Sequence, residues 1–206
     1  GGDPSNPRSW NKYSYAWNGP LLFEDPTGKY TRNCTSQSCN DDVDAFEKAR
    51  LDALASGDPD LVAAAQAYGA PGVDNGITVT SGALSGVSAD TAMTAHYNDV
   101  TGKFELGATV TLQSGLRDTA LAAATVHEGD HLNLGGSFVG QLNAGGDFSS
   151  LNPTVYAAEA RAFQLTHRVY QRAGQSFVAP CAKGVGCELG AKVRTPAEVK
   201  PNIDNM

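Results

Sequence analysis

His127, Glu128 and His131 are the residues of this chain whose types and spacing most clearly permit chemistry, because they fit the pattern H-E-x-x-H. Residues four apart on a helix lie about 40° apart around its axis and one turn apart along it. Both imidazoles can therefore reach one Zn²⁺ ion at about 2.0–2.1 Å. Glu128 is placed to take a proton from a metal-activated water. The segment predicts a zinc site that performs metal-assisted hydrolysis.

A catalytic zinc site usually has three protein ligands, so a third residue is needed. One known solution continues the motif as H-x-x-G-x-x-H, but Leu134 and Ser137 stand where that pattern needs glycine and histidine. Glu159 is the third ligand that we predict, because a lone carboxylate among alanines is costly to bury unless it is paired or metal-bound. The alternatives are Asp147, His167 and His96.

Two further side chains near the motif receive roles. Tyr156 lies about one helical turn before Glu159, where it could stabilise an oxyanion, although core packing is an alternative role. Asp130 is expected to face away from the metal, as a supporting or solvent-facing group.

Hydrophobic periodicity indicates the elements that must position these residues. Helices are predicted over residues 41–55 and 58–68, the second with Asp58 as N-cap and Pro59 in its first turn. Strands are predicted over residues 77–80, 91–97 and 104–112, with a hairpin turn at residues 99–102. The motif helix is expected to begin at Asp118 or Thr119 and to end at Gly135-Gly136, and a last helix spans residues 153–173.

These elements predict an α+β fold, in which a small, twisted, mostly antiparallel sheet packs on the active-site helix. A second helix carries the third ligand, and a helical pair precedes the sheet. The strand at residues 107–112, if it lies at a sheet edge, could hold an extended peptide by strand addition.

Composition limits the partners and the compartment. The net charge of −7 argues against nucleic-acid binding, and no apolar run is long enough for a membrane span. Four cysteines occur as two close pairs, Cys34 with Cys39 and Cys181 with Cys187. We expect two disulfides, local or crossed, and hence an oxidising compartment. A four-cysteine structural zinc site and free thiols are the alternatives.

Residues 77–173 resemble zincin metallopeptidases, specifically the branch with a downstream glutamate ligand. The resemblance rests on His127, Glu128, His131 and Glu159. It implies a sheet above the active-site helix and a cleft between that half and a helical half. It also implies zinc binding by His127, His131 and Glu159, and a general-base role for Glu128.

The beginning of the chain is similar to the end of a bacterial RHS/YD-repeat core domain, on the aromatic and Asn-rich residues 6–15 and 18–21 and on two Asp-Pro segments at residues 3–6 and 25–28. In that family a β-shell encloses a C-terminal toxin, and such Asp-Pro motifs are associated with self-cleavage. The resemblance implies that Asp3 and Asp25 are autocleavage carboxylates. It assigns residues 1–29 to the RHS core, 30–40 to a junction and 41–206 to an effector domain.

Together, the motif and the two resemblances predict a zinc peptidase that an RHS protein delivers to a target cell as a secreted toxin. Its expected partners are a peptide or protein substrate, the RHS shell and an immunity protein. Two alternatives remain open: another zinc amidohydrolase, such as a cell-wall peptide amidase, and a non-catalytic module that the metal stabilises.

Overall fold

The computed structural model describes residues 29–72, 75–145 and 155–177. The described part of the chain contains, in order, β1 (Lys29–Arg32), α1 (Gln37–Leu54), α2 (Pro59–Gln66), β2 (Ala70–Pro71), β3 (Ile77–Gly82), β4 (Ala89–Asn98), β5 (Lys103–Gln113), α3 (Asp118–Asn143) and α4 (Val155–Arg172). The α+β class is confirmed. None of the helices within these ranges is both long and apolar enough to cross a membrane.

The five strands form one mixed sheet in the order β2-β1-β3-β5-β4. Of the strand pairs in the described residues, only β4 with β5 is antiparallel, through the predicted hairpin turn, whereas β1 with β2, β1 with β3 and β3 with β5 are parallel. The prediction of a mostly antiparallel sheet is therefore wrong. The chain passes through α1 and α2 between β1 and β3, and such a crossover returns a strand parallel to its predecessor.

The core lies between one face of the sheet and helices α1 and α3. Alternate residues of β3 and β5 point into it, as expected for the two-residue period of a strand. The buried cluster includes Ile77, Val79, Ala108, Val110 and Leu112 from the strands and Val43, Phe46, Leu121 and Leu132 from the helices. Phe46 meets Tyr30 and Tyr68 edge-on at ring-centroid distances of 5.5 and 4.9 Å. This packing fixes α3 against the sheet.

The ends of helix α3 differ from the prediction. Arg117 is the N-cap, in an extended conformation, while Asp118 has a φ of 51° that does not suit a cap. The helix also continues through Gly135-Gly136 to Asn143. Tertiary contacts explain the continuation, because the Asn143 amide exchanges two hydrogen bonds, of 2.7 and 2.8 Å, with the backbone of Phe104 in β5.

The other elements lie near their predicted places. Asp58 caps α2 and Pro59 follows it, as predicted. Helix α1 begins earlier than expected, because Ser36 accepts a hydrogen bond from the backbone N–H of Cys39. The segment assigned to a junction, residues 30–40, contributes to β1 and to the first turn of α1.

Cys34 and Cys39 form a local disulfide. They therefore have no thiolates to offer a metal, and the four-cysteine zinc site does not form. Cys181 and Cys187 lie outside the described residues.

A buried carboxylate on α1 holds the loop that starts α3. Asp42 accepts hydrogen bonds from the Ser81 hydroxyl at 2.6 Å, from the backbone N–H of Gly115 at 3.2 Å and from Arg117 at 2.6 Å. Burial alone would raise the pKa of Asp42, but these hydrogen bonds outweigh it and lower that pKa below 3.8. The charged form of Asp42 is thus the one that stabilises the fold.

Asp42→Asn is expected to lower the free energy of unfolding by about 2 kcal/mol at pH 7, because it weakens hydrogen bonds to a buried charge. Since the folded pKa lies below the unfolded value, the contribution is present above about pH 4 and is lost as the pH falls further. The stability curves of the wild type and of the Asp42→Asn variant should therefore converge in acid when urea unfolding is measured from pH 7 to pH 3. Asp52→Asn, on the exposed side of α1, is the control, and an equal loss in both variants would contradict the assignment.

Candidate metal centre

The imidazoles of His127 and His131 lie one turn apart on α3, and α4 brings the carboxylate of Glu159 to both. Nε2 of His127 is 3.4 Å from Oε2 of Glu159, and Nε2 of His131 is 3.3 Å from Oε1. The ligand atoms of the three residues all lie within 4.8 Å of one another. Among the described residues this is the group of His, Cys, Asp and Glu side chains that could hold a metal ion.

Each imidazole faces a different oxygen of the Glu159 carboxylate, His127 at 3.4 Å and His131 at 3.3 Å. The three side chains are therefore close enough to share one ion, with ligand atoms within 4.8 Å of one another. Two imidazoles and one carboxylate are also ligands that a zinc ion accepts.

The three side chains interact electrostatically with one another. Burial alone would raise the pKa of Glu159, but contacts with His127 and His131 outweigh it and lower that pKa to about 2. Burial would lower the pKa of His131, yet Glu159, Glu128 and Asp130 together raise it. A proton and a metal ion therefore compete for the same side chains, as is usual for sites with histidine ligands.

Glu128 lies on the same helix and is buried. Its Oε2 accepts a hydrogen bond of 2.7 Å from the hydroxyl of Thr91, which belongs to β4. Sequence reasoning missed Thr91, because a single threonine in a strand gives no signal of its partner. The contact orients the Glu128 carboxylate from the sheet side of α3.

A second contact between α3 and α4 supports the position of Glu159. Asp130, which we expect to face away from the metal, is buried and pairs with Arg161 at 2.9 Å. Burial raises the pKa of Asp130, and the nearby Arg161 guanidinium opposes that rise. Arg161 lies two positions after Glu159, so the ion pair holds the part of α4 that bears Glu159 against the motif.

Among the described residues, the alternative ligands His167 and His96 are not part of this group. His167 is half-buried on α4, and His96 lies 3.5 Å from Glu105 across the β4–β5 hairpin. Tyr156 falls in the first turn of α4, and its side chain lies outside the described residues, as do Asp147, Asp3 and Asp25. The oxyanion role of Tyr156 stays a prediction.

At Gly129, between the two histidines, α3 lies in close contact with α2. A Cβ atom there would lie 2.2 Å from the carbonyl oxygen of Ala64 and 3.0 Å from the ring of Tyr68. Backbone cannot yield as a flexible side chain does, so any larger residue would push the two helices apart. Tyr68 also donates a hydrogen bond of 2.8 Å to the carbonyl oxygen of Thr125, in the preceding turn of α3.

Comparisons with protein families, with curated proteins and with solved structures find no match to this chain.

Gly129→Ala is expected to lower the free energy of unfolding by about 3 kcal/mol, because overpacking against backbone costs this much in well-packed cores. Gly140→Ala is the matched control on the same helix, since nothing lies within 4 Å of its added Cβ. That variant should gain up to about 1 kcal/mol from helix propensity. Denaturant unfolding of both variants measures the difference, and changes of equal sign and size would refute the close approach.

Glu159→Ala is expected to reduce the affinity for a divalent metal ion by more than about 100-fold, because losing a ligand should exceed the 10–100-fold cost of losing a supporting group. Glu105→Gln, another glutamate beside a histidine, should leave the affinity unchanged. Metal analysis after equilibration with Zn²⁺ and gel filtration measures the bound fraction. If Glu159→Ala keeps one equivalent of metal, the ligand assignment is wrong.

Proposed function

We propose that this chain is a zinc-dependent hydrolase that cleaves peptide bonds, with His127, His131 and Glu159 as ligands and Glu128 as general base. The observation that carries the proposal is the convergence of the three ligand atoms within 4.8 Å, beside the turn of α3 that bears Glu128. A purely structural metal site needs no carboxylate base beside its ligands.

The donor set favours zinc over magnesium and calcium. Two imidazoles and one carboxylate make a borderline set that zinc accepts, whereas magnesium and calcium prefer oxygen ligands throughout. Three protein ligands also leave a position for water. When bound, zinc supplies Lewis acidity, which lowers the pKa of a coordinated water from 15.7 to about 7.

Glu128 performs the proton transfers in this proposal. Its carboxylate accepts the proton of the attacking water and then returns it to the leaving amine. The hydrogen bond from Thr91 uses one carboxylate oxygen and limits rotation of the side chain. Thr91 is a positioning residue in this scheme, because it acts through Glu128.

The sheet edge favours a peptide over a small amide. The conditional prediction about residues 107–112 fails, because β5 lies between β3 and β4, and the edge strand on this side is β4. Most residues of β4 are exposed, so its outer backbone groups can pair with an extended peptide. Thr91 belongs to this strand and contacts Glu128, so a peptide added there would run close to the base.

The setting of the enzyme rests on the resemblance of residues 1–29 to an RHS core. We propose that the RHS shell encloses the peptidase domain, that Asp3 and Asp25 take part in its release, and that an immunity protein protects the producing cell. The Cys34–Cys39 disulfide supports an oxidising compartment, and hence secretion or delivery to a target cell.

Glu128→Gln should keep one equivalent of zinc and lose about 100–10,000-fold in kcat/KM, because general-base catalysis contributes a factor of this size. The substrates to compare are an unfolded protein and peptidoglycan stem peptides. Cleavage of the unfolded protein supports the peptidase, whereas cleavage of stem peptides alone would assign the cell-wall amidase instead. Undiminished hydrolysis by Glu128→Gln would refute the mechanism.

A further inference from the structure

One face of α4 holds the His127 ring at both of its nitrogens. Oε2 of Glu159 lies 3.4 Å from Nε2, and Oγ1 of Thr166 lies 3.2 Å from Nδ1. Phe163 meets the ring edge-on, with 4.6 Å between the ring centroids and 71° between the ring planes. Glu159, Phe163 and Thr166 follow at intervals of four and three residues, which place side chains on one helix face.

Thr166 is buried, with 5% of its surface exposed. A buried hydroxyl needs a hydrogen-bond partner, and among the described contacts of Thr166 the partner is Nδ1 of His127. A threonine hydroxyl can both donate and accept, so it accommodates a protonated Nδ1. A neutral imidazole has one protonated nitrogen, so a proton on Nδ1 leaves the Nε2 lone pair free.

The free nitrogen is the one that faces the other ligand atoms. Nε2 of His127 points to Glu159, as Nε2 of His131 does. A ligating histidine generally donates its second N–H to a neighbouring group, which fixes both the tautomer and the direction of the ring. Carboxylates and backbone carbonyls usually accept this hydrogen bond. A threonine hydroxyl can accept it too, but it carries no net negative charge as a carboxylate does.

We propose that Thr166 is a positioning residue of the metal centre: its hydroxyl accepts the Nδ1–H of His127 and directs the Nε2 lone pair toward the ion. The inference rests on the metal site of the proposed function and extends it to a residue outside the motif. Thr166 acts on metal affinity through ring orientation, and Phe163 limits tilting of the same ring.

Simple core packing by Thr166 would make a different prediction. Valine has nearly the same shape as threonine but has no hydroxyl, so packing alone would survive Thr166→Val. Under our proposal Thr166→Val weakens Zn²⁺ binding by at least about 10-fold, which is the lower end of the range for lost supporting contacts. Thr166→Ser keeps the hydroxyl and should restore most of the affinity.

Thr125→Val is the matched control. Thr125 is also a fully buried helical threonine, but its hydroxyl bonds to the carbonyl oxygen of Leu121 at 2.8 Å. Its removal should leave the zinc affinity unchanged. The dissociation constants are measured on the full chain by competition with a chromogenic chelator, together with the urea midpoint of each metal-free variant.

Equal zinc affinity in the wild type and in a folded Thr166→Val variant would overturn the proposal. A second measurement on the wild type needs no variant: long-range ¹H–¹⁵N spectra of the zinc-loaded chain should show His127 protonated at Nδ1. Protonation at Nε2 would equally overturn the proposal.

The result separates this inference from the proposed function. Weakened zinc binding by Thr166→Val in a chain that hydrolyses no peptide supports the positioning role and refutes the peptidase. A wild-type chain that binds no zinc refutes both.

Discussion

The contact of the Glu159 carboxylate with two imidazoles is the interaction on which the candidate site depends. A carboxylate on the inner face of a helix is unfavourable unless it is compensated. The compensation comes from His127 and His131 on α3, so the packing of α4 on α3 also brings these three side chains together. Asp130 and Arg161 add a second charged contact between the same helices. Without these charged contacts, the packing of α4 against α3 would be less stable.

The sheet contributes to the site through its edge. Strand β4 lies outside β5, and from there Thr91 reaches Glu128. The motif is thus held from two directions, with Glu128 contacted by a strand and His127 and His131 contacted by a helix. Asp42 links these parts further back, because it joins α1 to the loop that leads into α3. The positions of these side chains therefore follow from packing throughout the described residues.

Local rules in the sequence predict part of this arrangement. The four-residue spacing of His127 and His131 and the isolated carboxylate of Glu159 predict their grouping, because helix periodicity and the cost of burial act over short range. Strands β1 and β2 are too short to show a period, so their parallel pairing escapes prediction. The contacts of Thr91 and Thr166 also escape it, since only tertiary packing brings these hydroxyls to Glu128 and His127. The prediction that α3 ends at Gly135-Gly136 is wrong because contacts with the β4–β5 hairpin outweigh the low helix propensity of glycine.

The two intervening positions of the H-E-x-x-H pattern have a consequence for sequence variation. The general pattern allows any residue at both places, but here Gly129 lies against the backbone of Ala64 and Asp130 is the buried partner of Arg161. Substitution is therefore restricted at both positions, although neither is among the three residues grouped as candidate ligands. Loss of the half-exposed Arg161 would leave the buried Asp130 carboxylate without its partner. Substitution at Arg161 should therefore be tolerated only together with a change at Asp130, so diverged homologues should vary at these two positions jointly.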